Sequence, residues 1–199
     1  VYNLDTIRSN ISRLKAAFRD WTIKFSAKSN INQDVIQTVR DEGVDIVCGS
    51  PQEIRRLQRL GVDPESIQYV AVQPGKEAIE TLTNIDGQSE LTVSIESLGT
   101  LHRLIENDFT GKATVRINSN YLTEQDSFTS RNAKFGLSPE SAVEAFNLIE
   151  DSAIDPVSMY CHTGKMKTEH KMSLFYEALQ GLSAFIKEKN IPVNAVNVG

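Results

Sequence analysis

The 199-residue sequence predicts an α/β fold built on a parallel sheet. Short apolar runs alternate with amphipathic helical patterns about seven times, which is typical of βαβ units with right-handed connections. Two architectures fit this alternation, an open doubly wound sheet and a (β/α)8 barrel of the TIM type. No Gly-rich dinucleotide fingerprint follows the first strand, and its absence from the sequence favours the barrel.

Each strand is predicted from a short apolar run bounded by polar or turn residues. The predicted strands cover residues 21–26, 44–48, 67–72, 91–94, 113–117, 157–161 and 193–198. A long polar loop, 118–134, follows the fifth of them. No internal linker or low-complexity segment interrupts the series, so residues 1–199 are interpreted as one domain.

The helices between the strands are predicted from a 3.6-residue apolar period and from their end signals. Asp5 is the expected N-cap of the first helix, and Gly43 the expected end of the second. Residues 50–53, Ser-Pro-Gln-Glu, form a capping box at the start of the third helix, and Ser138-Pro139 opens the sixth. The predicted helices begin near residues 4, 32, 50, 77, 98 and 138, and a long amphipathic helix that includes Met172 and Ile186 follows His162.

Composition excludes several classes of function. A net charge of -5 and a pI near 5.3, without a basic patch, argue against nucleic-acid binding. No apolar run reaches membrane-spanning length and no signal peptide opens the sequence, so a cytoplasmic protein without membrane contact is expected. Cys48 and Cys161 form no disulfide framework, and His162 and His170 lack a ligand cluster, so no metal is predicted.

In a barrel, the carboxyl ends of all strands meet on one face, where active sites lie. The residues at those ends are Lys28, Ser50, Arg116, His162 and Gly199. A lysine between a strand and a helix is expected close to low-dielectric packing, which disfavours the ammonium form and makes the amine a nucleophile. The sequence therefore predicts a site around Lys28.

Ordinary structural roles remain open for each of these residues. Lys28 could be a surface lysine in a turn, Arg116 a buried ion-pair partner and His162 a structural histidine. Ser50 has a capping role before any other, and Lys134 could simply fix the end of its loop.

Six segments in order carry a resemblance to one family. Residues 25–30, Phe-Ser-Ala-Lys-Ser-Asn, are similar to the motif Tyr-Ala-Val-Lys-Ala-Asn, and residues 134–136 match Lys-Phe-Gly. The other four are residues 1–5, 48–53, 161–164 and 196–199. The chain resembles the fold-type III pyridoxal-phosphate (PLP) decarboxylases, which include diaminopimelate, ornithine and arginine decarboxylases.

The resemblance implies a role for each candidate. It places Lys28 at the lysine that holds PLP as a Schiff base and His162 at the ring that stacks on the cofactor. Arg116 is expected to face the cofactor pocket, and the backbone from Gly199 onward is expected to cradle the phosphate. Ser50 joins these residues as a cofactor-binding candidate.

Two residues depart from the family pattern. Lys165 stands where the family has a phosphate-binding serine, although a lysine can bind phosphate as a point charge. Val47 stands where the family usually has an aspartate, which removes a charge expected near the Schiff base.

The function implied is PLP-dependent decarboxylation of an amino acid, with diaminopimelate the first expectation. An ornithine- or arginine-type enzyme, a non-catalytic homologue and a likeness of barrel architecture alone are the alternatives. The sequence lacks the family's eighth strand and C-terminal β-domain, which completes the site across a homodimer. We therefore expect a truncated barrel from a longer protein, inactive by itself.

Overall fold

The computed structural model describes residues 2–123, 134–164 and 168–199. In these ranges, parallel strands form one sheet whose order follows the chain. The strands are β1 (Lys24–Ser26), β2 (Asp45–Cys48), β3 (Ile67–Tyr69), β4 (Thr92–Ile95), β5 (Lys112–Arg116), β6 (Asp155–Tyr160) and β7 (Ala195–Asn197). The α-helices are α1 (Leu4–Ala17), α2 (Gln33–Asp41), α3 (Pro51–Arg59), α4 (Lys76–Thr83), α5 (Leu98–Glu106), α6 (Pro139–Glu150) and α7 (Glu169–Glu188).

The strand order decides between the two predicted architectures. Each strand from β1 to β7 pairs in parallel with the next one along the chain. A doubly wound sheet would reverse its order at a switch point, and the described strands show no reversal. The prediction of an incomplete (β/α)8 barrel is therefore confirmed, and the open-sheet alternative is wrong.

The sheet curls so that one face is concave. The side-chain amide of Asn197 on β7 donates to Oε1 of Gln68 on β3 at 3.2 Å, although three strands lie between them. Residues paired across neighbouring strands share a face. The registers therefore place these residues on the concave face with Gln68 and Asn197: Ser26, Val47, Thr92, Ser94, Lys112, Thr114, Arg116, Ser158, Tyr160 and Ala195.

The two faces of the sheet differ in polarity. Alternate strand residues such as Ile46, Val93, Val115 and Met159 are buried in the apolar core on the helix side of the sheet. Barrel interiors are usually filled by branched apolar side chains, whereas most of the concave-face residues here are polar. The hydrophobic core thus lies between sheet and helices, while the concave side holds buried polar residues such as Gln68, Ser94 and Thr114. No helix of the described ranges is both long and apolar enough to cross a membrane.

Two local predictions at the start of the chain are wrong. The N-cap of α1 is Asn3, whose Oδ1 accepts from the Thr6 N–H at 3.0 Å, so Asp5 lies inside the helix. The first strand begins at Lys24 because pairing with β2 starts there. Trp21 is instead 49% exposed, and its ring meets that of Phe18 edge-on at 5.7 Å in the turn after α1.

Candidate cofactor site

Lys28 lies in a single 3-10 turn, Ala27–Ser29, directly after β1. Ala27 is buried and anchors the turn to the core, but the side chain of Lys28 is exposed. The expectation of low-dielectric packing around this side chain is therefore wrong. The turn presents the amine at the carboxyl end of the sheet, where a ligand could reach it.

His162 follows β6 by two residues and is partly buried. Burial lowers the pKa of its imidazole, and the positive charges of Arg116 and Lys28 lower it further. The three residues are therefore close enough to interact electrostatically. Near neutral pH this environment favours a neutral, flat ring.

Gly199 packs against the imidazole of His162. Its φ is +91°, and a Cβ on Gly199 would overlap Nδ1 of His162 and lie 2.9 Å from Cγ. Only glycine fits a left-handed position in such close contact with a ring. The Gly199 N–H donates to Oδ1 of Asn197 at 2.9 Å, so phosphate binding by the backbone from Gly199 onward stays a prediction.

Arg116 is buried on the concave face, and its counter-ion is Glu96. Nη1 of Arg116 lies 2.8 and 2.9 Å from the two carboxylate oxygens of Glu96. The rings of Phe135 and Tyr160 lie 5.1 and 4.6 Å from the guanidinium carbon. The arginine is therefore a buried ion-pair partner on the concave face, and its role beside the cofactor stays a prediction.

The segment Lys134-Phe135-Gly136 supplies Phe135, one of the two aromatic rings that contact Arg116. Leu137 donates its N–H to the Arg116 carbonyl at 2.8 Å and bridges Ile117, which fixes the segment beside the end of β5. Gly136 has a φ of +77°, and a Cβ there would lie only 2.7 Å from the Asn118 nitrogen. The close approach of this glycine brings Phe135 against the guanidinium.

Ser50 is the N-cap of α3, as predicted. Its Oγ accepts from the Glu53 N–H at 3.2 Å. The Glu53 carboxylate accepts from the Gly49 N–H at 2.6 Å, one residue earlier than a capping box predicts. The hydroxyl therefore has a structural role, and its cofactor contact stays a prediction.

The buried thiols are poor rivals to Lys28 as nucleophiles. Burial is the main cause that raises the pKa of Cys48 to about 12 and that of Cys161 to about 11. Both side chains lie in the core on the convex side of the sheet. They therefore remain protonated thiols at neutral pH.

The structure brings Lys28, Arg116, His162 and Gly199 together at the carboxyl end of the sheet. Lys165 lies outside the described residues. Val47 lies on the concave face between Ser26 and Gln68 in the register, so the departure from aspartate places an apolar side chain beside the site.

Three residues of this region were missed by the sequence reasoning, namely Gln68, Glu96 and Asn197. Polar residues recur at every second position at the ends of β4, β5 and β6, as in Thr-Val-Arg, residues 114–116. This alternation was a usable signal, because strands buried on both faces normally form continuous apolar runs.

A family model described as the pyridoxal binding domain of pyridoxal-dependent decarboxylases matches residues 4–199. The chain belongs to this family. It is the domain that binds pyridoxal phosphate, as the resemblance implied, and the residues present fit that cofactor. An accessible amine and a flat imidazole suit an aldehyde-bearing aromatic ring, while the contacts to its phosphate stay a prediction.

Solved structures of related enzymes share the fold. Diaminopimelate decarboxylase from Helicobacter pylori, complexed with L-lysine, matches with a TM-score of 0.82 at 21% identity over 98% of this chain and 52% of that one. Diaminopimelate decarboxylase from M. jannaschi gives 0.82 at 22% identity, over 99% and 49%. Arginine decarboxylase from Paramecium bursaria Chlorella virus, bound to agmatine, gives 0.80 at 17% identity, over 98% and 52%.

These likenesses concern the fold, since all three identities are low. The chain spans about half the length of the structures that it matches. No curated protein sequence matches it significantly.

Proposed function

We propose that this domain serves a PLP-dependent amino-acid α-decarboxylase, and that its substrate is diaminopimelate. The observation that carries the proposal is the meeting of Lys28, His162 and Gly199 at one end of a polar concave face. The family membership supports decarboxylation as the reaction. Diaminopimelate is retained as the first expectation from the sequence, since the structures that share the fold include diaminopimelate, arginine and lysine/ornithine decarboxylases alike.

Each residue receives a role in binding or orientation. PLP supplies an electron sink for the carbanion left when carbon dioxide departs. Lys28 would hold the cofactor through its amine, the accessible nucleophile at the carboxyl end of the sheet. The ring of His162 would stack on the cofactor and orient it, and the Glu96–Arg116 ion pair would lie beside it on the concave face.

An ornithine- or arginine-type decarboxylase is the second candidate for the substrate. The arginine decarboxylase structure has almost the same TM-score as the diaminopimelate enzymes, 0.80 against 0.82. Carbon dioxide release from diaminopimelate, ornithine, arginine and lysine by the full-length protein would separate these substrates. Turnover of arginine or ornithine in place of diaminopimelate would move the assignment to the second candidate.

A non-catalytic homologue that holds PLP without turnover is favoured by one observation. Val47 puts an apolar side chain on the concave face where the resembling enzymes usually carry a carboxylate. The discriminating result is a protein that binds PLP on Lys28 but releases no carbon dioxide from any amino acid. Homodimer formation and a cytoplasmic location stay predictions, to be checked by light scattering and by fractionation.

The decisive experiment is borohydride reduction of the full-length protein with PLP, followed by peptide mass mapping. We expect the adduct on Lys28, and we expect it to disappear in Lys28→Ala. Lys24→Ala is the matched control, because Lys24 lies on β1, directly before the turn that carries Lys28, and forms an ion pair with Asp45 at 3.4 Å. An adduct on Lys24, or none from a folded protein, would overturn the proposal.

A further inference from the structure

We infer that Gln68 and Asn197 are a positioning pair that holds Gly199 against His162 and thereby shapes the cofactor site. This inference rests on the proposed function for its meaning, but its geometry belongs to the chain alone. Gln68 lies on β3 and Asn197 on β7, so the pair spans the concave face of the sheet.

Asn197 uses both ends of its side-chain amide. Its Nδ2 donates to Oε1 of Gln68 at 3.2 Å, and its Oδ1 accepts from the N–H of Gly199 at 2.9 Å. A planar amide whose nitrogen and oxygen are both engaged has a fixed orientation. The position of Gly199 is therefore tied to β3, on the far side of the concave face.

The Gln68 side of the pair is rigid. Gln68 is 1% exposed and belongs to a strand that pairs on both sides. A buried amide that loses its partner incurs a desolvation penalty, because water cannot replace the lost hydrogen bond. The bond to Asn197 is therefore maintained, and Gln68 acts as the fixed end.

The Gly199 side of the pair reaches the site. The α-carbon of Gly199 is so close to His162 that a Cβ would overlap the ring. A shift of Gly199 would open a gap beside the imidazole and admit water to it. The pair therefore sets the orientation of the His162 ring and the position of the Gly199 backbone beside it.

The test uses the full-length protein with Gln68→Leu, which removes the acceptor at similar volume. We expect PLP affinity to fall roughly tenfold, as when one bond of a buried network is lost. In the cofactor-free protein, we expect histidine NMR to show the His162 pKa rising towards its ordinary value as water reaches the ring. The charges that act on this ring, Arg116 and Lys28, are unchanged in the variant.

Thr114→Val is the matched control. Thr114 also lies on the concave face and forms a polar pair, with its Oγ1 2.5 Å from Oγ of Ser158. None of the described contacts joins that pair to Gly199. We expect this variant to lose stability without moving the His162 pKa or the PLP affinity.

Two further variants keep the test decisive if Gln68→Leu does not fold. Asn197→Asp still accepts from the Gly199 N–H, and the Gln68 amide can turn to donate to it, so we expect near-normal PLP affinity. Asn197→Leu loses both bonds and should weaken PLP binding at least as much as Gln68→Leu. Equal behaviour of these two variants, or an unchanged His162 pKa in Gln68→Leu, overturns the inference. The pKa measurement needs no cofactor, so it distinguishes failure of this inference from failure of the proposed function.

Discussion

Arg116 and Glu96 form an ion pair in which one guanidinium nitrogen lies within 2.9 Å of both carboxylate oxygens. Their side chains are 8% and 0% exposed. Burial of both charges makes the loss of either partner costly, since the remaining charge can be neither paired nor hydrated. The positive charge of Arg116 also lowers the pKa of His162, after the larger effect of burial.

We predict that Glu96→Gln lowers the free energy of unfolding by about 3 kcal/mol, the size typical of breaking a buried pair. The double variant Glu96→Leu/Arg116→Met should lose less, because no uncompensated charge remains. Denaturant unfolding of the full-length protein measures both. Glu90→Gln is the control: its carboxylate pairs with Lys112 at 2.6 Å but is 53% exposed, so a loss below about 1 kcal/mol is expected.

His162 should make stability depend on pH. Because its folded pKa is lowered, the unfolded chain binds a proton more readily than the folded protein as the pH falls through the ordinary histidine pKa of about 6.5. Stability of the cofactor-free protein should therefore decrease from about that pH downward, until the folded pKa is passed.

Thermal unfolding of the cofactor-free protein across this pH range measures the effect. His162→Gln should reduce the acid-side loss, while His170→Gln should leave it unchanged, since His170 lies exposed on α7. An identical pH profile for all three proteins would contradict the prediction.

Ser50 and Ser138 provide a matched pair for separating capping from cofactor binding. Each precedes a proline at the start of its helix, and each Oγ accepts a backbone N–H three residues later at 3.2 Å. Substitution by alanine should cost about 1 kcal/mol of stability at either position.

PLP titration distinguishes the two serines. If Ser50 also contacts the cofactor, Ser50→Ala should weaken PLP binding by about tenfold, while Ser138→Ala leaves it unchanged. Equal PLP affinity in the two variants would assign Ser50 to capping alone.

Gly136→Ala should lower stability, because Gly136 belongs to the segment that places Phe135 against Arg116. Its φ of +77° disfavours a side chain, and a Cβ would lie 2.8 Å from the Ile117 carbonyl carbon, which belongs to backbone and cannot rotate away. We expect a loss of more than about 1 kcal/mol. Gly99→Ala is the control, because a Cβ there meets nothing within 4 Å and alanine favours the helix.

The alternation of strands and helices could be predicted from the sequence, because apolar periodicity and helix caps are local properties. It also located Lys28, Arg116, His162 and Gly199 near strand ends, where a parallel fold brings distant segments to one face. The strand prediction failed at residues 21–23 because an apolar run indicates burial but does not distinguish a strand from the turn before it.

The contacts that hold these residues in place could not be predicted from the sequence. The partnership of Arg116 with Glu96 depends on strand register, and the bond from Gln68 to Asn197 depends on the curl of the sheet across 129 positions of sequence. The exposure of Lys28 was also beyond the sequence, because the depth of a side chain depends on what surrounds it in space. Composition and spacing are properties of one chain segment, whereas hydrogen bonds across a barrel are properties of how several segments meet.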